Sequence, residues 1–307
     1  MKAANKTIMK GAATIKAITK LLGFEAFSVV LMWIVLMGAF LGFALARMQY
    51  YSKSALLANV GPGEAYWYSQ PLYYAGMELH IAGALPAAVI MFFQFIPGIR
   101  KHAINVHRWM GRLWFVLMLA ATVGAGIITR HAFGGVLSTQ AASITTGIFL
   151  LGCMAQGYVN IRNKRIQEHR EWMLRASAVA GSIFTLRLIL LIANAIINVI
   201  NASGLELFYE TVTCDEILVT SPQLYAEYKC PTVTGAVAVP ASLSGNHATA
   251  TSMLRITFGT AWWTALALHG MLVEIWIIKR YRPLGKDLPK PATTPAAVEQ
   301  QEAQVLP

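Results

Sequence analysis

Carboxylates are scarce in this chain, with 14 Asp and Glu against 25 Lys and Arg in 307 residues, and charged residues make up only 13% of it. With 56% of its residues apolar, the composition excludes an ordinary soluble domain and points to the bilayer. No internal repeat is visible, so nothing favours the inverted-repeat architecture of many transporters, and there is no second soluble domain. Cysteine is nearly absent, with three residues. Cys153 falls in an apolar run and reads as a small buried residue. Cys214 and Cys230 share one long loop, where a disulfide is chemically allowed if the loop lies outside the cytosol.

What is abundant is apolar sequence of spanning length. Six runs, near residues 27 to 46, 77 to 97, 110 to 129, 141 to 159, 173 to 199 and 253 to 278, predict an all-α, multi-pass bundle of six transmembrane helices. A basic segment over residues 1 to 24 reads as an amphipathic helix on the membrane, and residues 283 to 307 as a disordered tail. Between them lies a transmembrane domain over residues 25 to 282, with an extramembrane loop over 200 to 250. The basic residues alternate along the runs, and 19 of the 25 fall on one side. By the positive-inside rule that side, and both termini, are cytosolic. The net charge of +11 is then explained by orientation and anionic headgroups, and no nucleic-acid partner is expected. In the outer loop Asn201-Ala202-Ser203 matches a glycosylation acceptor.

Polarity inside the apolar runs is confined to stripes. In the fifth run His169, Met173, Ala176, Ala180, Arg187, Asn194 and Asn198 lie within about 40° of one line at helical spacing. A guanidinium facing lipid at mid-membrane costs at least roughly 2.5 kcal/mol, so Arg187 faces a polar interior, either as a helix-helix tie or toward a ligand. In the second run His80, Gly83, Ala87, Met91 and Gln94 form another stripe, with Glu78 on roughly the opposite side. The fourth run carries Ser143, Thr145, Thr146 and Gln156, which predicts a central helix. In the sixth, Arg255, Trp262 and His269 recur every seven residues and share a face. The first outer loop is crowded with Tyr66, Trp67, Tyr68, Tyr73 and Tyr74, which reads either as an interfacial belt or as an aromatic lining.

The ordered set His80-x-x-Gly83, His107-Arg108-x-x-Gly111-Arg112, Gly134-Gly135, His169-Arg170-x-Trp172-Met173-x-Arg175 and Leu186-Arg187-Leu188 resembles a large family of predicted membrane proteins of unknown function. The resemblance covers roughly residues 76 to 200 and implies a fold but almost no chemistry. In size and layout the chain is also similar to fungal membrane-bound terpene cyclases of the ascofuranone type. No active-site residue is carried over from them.

Three functions follow as expectations. The first is a membrane-bound terpene cyclase of meroterpenoid secondary metabolism, residing in the endoplasmic reticulum and taking a hydrophobic prenylated substrate from the bilayer. Acid-initiated cyclisation needs a proton donor, a dry cavity and aromatic faces. Glu78, kept protonated by burial, or His80 would supply the proton, with Arg187 as third catalytic residue. Gln94, Trp67, Tyr74, Trp262 and His269 would bind substrate. His107, Arg108, Arg112, His169 and Arg175 read as structural motif residues, and neither a cofactor nor a metal is expected. The second function is a b-type haem electron carrier, since seven histidines in a bundle invite bis-imidazole ligation. The third is a non-catalytic transporter or assembly factor.

Overall fold

A computed structural model of the protein describes residues 16–61, 63–204 and 208–281. The expected disordered tail over 283 to 307, and residues 1 to 15 of the basic N-terminal segment, lie outside the described residues. Among the described residues six helices are long and apolar enough to cross a membrane: Phe27–Tyr51, Pro71–Gln94, Ile104–Ile128, Leu137–Arg162, Ile166–Ser203 and His247–Tyr281. They are called the first to sixth spans below. Five of them begin four to seven residues earlier than the apolar runs suggest, because the helix continues past the hydrocarbon into residues that hydropathy does not register. The fifth span shows this most clearly. Its 38 residues extend about 57 Å at helical rise, against a hydrocarbon core about 30 Å thick. The helix is longer than the core it crosses.

The second and third spans make the closest pair. A Cβ on Gly83 would lie 2.4 Å from the Leu117 carbonyl oxygen, and one on Gly124 would lie 2.4 Å from the His80 backbone nitrogen. Two backbones can approach this far only where side chains are missing, the usual way membrane helices gain packing contact. The fifth span lies between the fourth and the sixth. The fourth, expected from its hydroxyls to be central, meets the third, fifth and sixth spans. It packs Ala142, Leu150 and Met154 inward and presents Ile144, Ile148 and Phe149 to lipid, while Ser143 and Thr129 share a hydroxyl hydrogen bond of 2.6 Å. Glu25 and Arg280 pair at the bundle's end, which brings the two ends of the described chain to one face.

Between the fifth and sixth spans the expected loop is a small folded cap. Strand β1 (Tyr209–Thr213) pairs antiparallel with β2 (Ala236–Pro240), Val212 opposite Val237. A disulfide joins Cys214 to Cys230, and Val212, Ile217, Val239 and Ala248 form an apolar core beneath it. Two polar contacts seat this cap on the sixth span. The Ser252 hydroxyl donates to the Val239 carbonyl at 2.8 Å. Arg255, only 4% exposed, pairs with Glu216, 2% exposed, at 2.5 Å and donates to the Thr211 carbonyl at 3.0 Å.

Removing one partner from a buried ion pair strands the other charge, at a cost of about 3–5 kcal/mol, whereas replacing both with apolar groups is often neutral. Glu216→Ala is therefore expected to lower the melting temperature in detergent sharply, and Glu216→Leu with Arg255→Met to recover most of the loss. Equal melting temperatures for the wild type and Glu216→Ala would contradict the clamp.

Candidate functional site

The cap holds a short helix of the first outer loop, Glu64–Ser69, against the start of the sixth span. This burial makes the site. Glu64 is 3% exposed. It accepts a hydrogen bond of 3.1 Å from the Tyr68 hydroxyl and another from the Phe133 backbone N–H. Burial outweighs both bonds and the nearby Arg255, and pushes the Glu64 carboxyl up to about 7. A group poised there holds a proton and can release it at neutral pH. Burial, with Glu64 beside it, also pushes the Tyr68 phenol well above its ordinary range, so Tyr68 stays a neutral donor.

Phe133 belongs to the tight turn Ala132–Gly135 between the third and fourth spans, with φ 47° and ψ 52°. A bulky residue in this left-handed region is uncommon, and strain of this kind concentrates at functional sites. The next residue, Gly134, also has positive φ, and a Cβ there would lie 2.1 Å from Arg255 Nε. The turn is thus fixed from both sides. Its consequence is a ring stack: Phe133 lies parallel to Phe258 of the sixth span with centroids 3.6 Å apart.

Over these two rings sits Arg187. Its guanidinium carbon is 5.6 Å from the Phe133 centroid and 5.1 Å from that of Phe258. Its Nε is buried without a hydrogen-bond partner, and among the described residues Arg187 makes no ion pair. The inward orientation read from the stripe is what the structure shows. Two other arginines of the spans differ. Arg175 makes a bidentate pair with Glu274 at 2.6 and 2.9 Å, and Arg255 pairs with Glu216. Within reach of the Arg187 charge lie Arg47, Tyr68, Tyr50 and Glu64, and also His80. Arg47 adds a second positive charge, bonded to the Tyr50 hydroxyl. Trp262, edge-on to Phe258 at 5.7 Å, also has an indole N–H without a partner.

Several residues singled out from the sequence stand elsewhere. Glu78 is exposed rather than buried and bonds Tyr74, because two residues along a helix turn it to the side opposite His80. Gln94 donates to the His107 carbonyl at 2.9 Å; at 14 residues from His80 it is about 21 Å away along the axis and does not border the Arg187 site. Tyr74 stacks under Lys53 Nζ at 4.5 Å. Trp67 stacks on His131 at 3.7 Å, with Tyr66 and Tyr73 edge-on to it, and lies near Glu216, so it supports the cap. His269 uses both ring nitrogens, Nδ1 with the Ala178 carbonyl at 2.8 Å and Nε2 with the Thr185 hydroxyl at 2.7 Å. It ties the sixth span to the fifth and is free neither to bind substrate nor to ligate haem iron. His80 Nδ1 lies 2.9 Å from the Ala121 carbonyl, so that nitrogen carries the proton and Nε2 is left as an acceptor.

The motif residues gather at the opposite end. His169 Nδ1 donates to the Gly157 carbonyl at 2.8 Å, Arg112 covers the Trp109 ring at 5.0 Å, and Arg108 is exposed near His107. Asn201 Nδ2, the atom a glycan would occupy, donates to the Ala241 carbonyl at 2.5 Å. An apolar groove of about 320 Å³ between Phe115, Val116, Leu119, Met154, Ala155 and Tyr158 opens on the lipid side, away from Arg187. Glu64, Tyr68, Phe133 and Phe258 were not singled out as site residues from the sequence. The signals for them are the aromatic cluster of the first outer loop, which includes Tyr68, and Gly134-Gly135, which marks the turn that carries Phe133.

Residues 77–207 match the family described as predicted membrane protein DUF2306. Over 311 aligned residues the chain is 26% identical to the Ava biosynthesis cluster protein G of Aspergillus versicolor, covering 83% of this chain and 90% of that protein. No solved structure matches. The protein is thus a six-span membrane protein whose second to fifth spans carry the DUF2306 match, with His80 and Arg187 inside the match and Glu64, Glu216 and Arg255 outside it.

Proposed function

We propose that the protein is an integral-membrane cyclase of a biosynthetic pathway, which protonates an epoxidised prenyl chain to start ring closure. The observation that carries this reading is a buried carboxyl poised at about pH 7 beside an intramembrane guanidinium that rests on two phenyl rings and makes no ion pair among the described residues. The similarity to a biosynthesis-cluster protein supports a biosynthetic setting.

Glu64, in place of Glu78, is the acid. Its proton passes to the epoxide oxygen as the C–O bond breaks, and the alkene π electrons close on the electron-poor carbon to form a C–C bond. Loss of a proton from carbon quenches the final cation, so the product is an isomer of the substrate. His80 Nε2, an acceptor in the tautomer fixed by Ala121, takes that proton, and Glu64 is reprotonated. Arg187 cannot lose its own charge and would repel a carbocation placed against it. It therefore holds the oxygen-bearing end of the substrate, with Trp262 N–H as a second donor, while the prenyl chain lies toward Tyr68 and His80.

For topology, the even number of spans and the Glu25–Arg280 pair support a single face for both ends of the described chain. We place that face in the cytosol, because the basic residues lie there and the Cys214–Cys230 disulfide needs an oxidising compartment such as the endoplasmic reticulum lumen.

In microsomes supplied with epoxyfarnesyl-phenol substrates, Glu64→Gln is expected to lower turnover by about 10²–10⁴-fold, the range for losing a general acid. Arg187→Gln is expected to raise KM more than it lowers kcat. Wild-type turnover is expected to fall roughly tenfold per pH unit above about 7, because the donor must hold its proton. Full turnover by Glu64→Gln, or no cyclised product from any such substrate, would overturn the assignment.

The same carboxyl links folding to pH. An acid whose native value lies above its unfolded value of 4.5 stabilises the fold relatively more at or below that pH and loses the contribution as pH rises through about 7. The melting temperature is thus expected to decline across that window in wild type and to decline less in Glu64→Gln. Parallel profiles would show that Glu64 titrates normally.

A further inference from the structure

The basic motif residues at the other face are not used by this reaction. Arg100, from the short helix Pro97–His102, lies within the field of Arg170 near the start of the fifth span. His107, in the first turns of the third span, lies within the fields of Arg100, His169 and Arg108. Three elements therefore bring like charges together, which is unfavourable unless something negative lies between them. Among the described residues none of Arg100, Arg108 and Arg170 makes an ion pair. His107 Nδ1 and Arg170 Nε are buried N atoms without a hydrogen-bond partner. The third span begins here with no side-chain N-cap and no acid in its first turn, so its first-turn N–H groups and positive dipole end also face this region; the fifth span, also uncapped, carries Glu168 in its first turn.

The cluster is positioned by contacts that leave its charges free. Gln94 holds the His107 carbonyl at 2.9 Å. His169 is fixed on the Gly157 carbonyl at 2.8 Å, which sets Arg170 next to it toward Arg100. Arg175, about one and a half turns on, is already satisfied by Glu274. Guanidinium forks, an imidazole N–H and the N-terminus of the third span at a membrane surface match the chemistry of a phosphate group.

We infer that Arg100, His107, Arg108 and Arg170 form a binding site for a phosphate group at this face of the membrane, borne either by a lipid headgroup or by a free phosphate ester. The test uses the full chain purified in mild detergent and titrated with dioctanoyl phosphatidic acid by calorimetry, at a salt level that screens diffuse charge. Saturable one-to-one binding is expected. Arg100→Ala with Arg170→Ala is expected to weaken it roughly thirtyfold, from about one kcal/mol per arginine. The control Arg162→Ala with Arg165→Ala removes the same charge from exposed positions on the same face and is expected to change affinity less than threefold. Arg170→Lys, which keeps the charge but not the fork, guards against a fold defect and is expected to weaken binding by an intermediate factor. Competition by inorganic diphosphate would identify a free phosphate ester as ligand; retention of a phospholipid through purification, without competition, would identify a headgroup. Equal losses in the two double variants, or no saturable binding by wild type, would overturn the site.

Discussion

A guanidinium cannot shed its proton in a membrane, so each arginine carried into the bundle has to find a negative or π-rich partner. The chain meets this constraint in three ways. Arg175 is neutralised by Glu274 across the fifth and sixth spans. Arg255 is neutralised by Glu216, a residue that reaches it only because the cap folds over the end of the sixth span. Arg187 has two phenyl rings and, among the described residues, no ion pair. The first two pairs are scaffolding. The third arginine is an unfilled valence at the centre of the bundle, and the residues around it are the ones with unusual properties.

Those properties are connected. The Glu216–Arg255 pair seats the cap, and the cap encloses the helix Glu64–Ser69; enclosure removes water from Glu64 and raises its proton affinity. Arg255 also lies against Gly134, which fixes the turn whose strained Phe133 supports Arg187 with its ring and Glu64 with its backbone N–H. One buried ion pair thus aligns an acid, a cation and an aromatic platform that come from the first outer loop, the fifth span and the turn before the fourth. None of these would hold its position if the cap were loose.

The spans, the stripe carrying Arg187 and the shared face of Arg255, Trp262 and His269 were legible in the sequence, because apolar length and helical period are local properties. The site was legible only in part. Arg187 announces itself, as a charge in an apolar run does. Glu64 does not, since a loop glutamate looks solvated until residues 216 and 255, far along the chain, are known to cover it. Glu78 shows the converse: it lies within a membrane-spanning run, yet the helical phase that puts His80 inside puts Glu78 outside. His269 was misread for a third reason. Period gives the face of a helix but not the neighbour it meets, and the neighbour here offers a carbonyl and a hydroxyl that occupy both ring nitrogens.

Everything proposed for this face rests on Glu64 holding a proton near neutrality. Infrared difference spectroscopy of the purified protein between pH 5 and 9, with Glu64→Gln as reference, reads that proton directly in the carboxyl C=O stretch. A band present in wild type, absent in the variant and titrating with a midpoint near 7 is the result predicted from its burial. Loss of the band already near pH 4.5, the value of an ordinary solvated glutamate, would contradict the account.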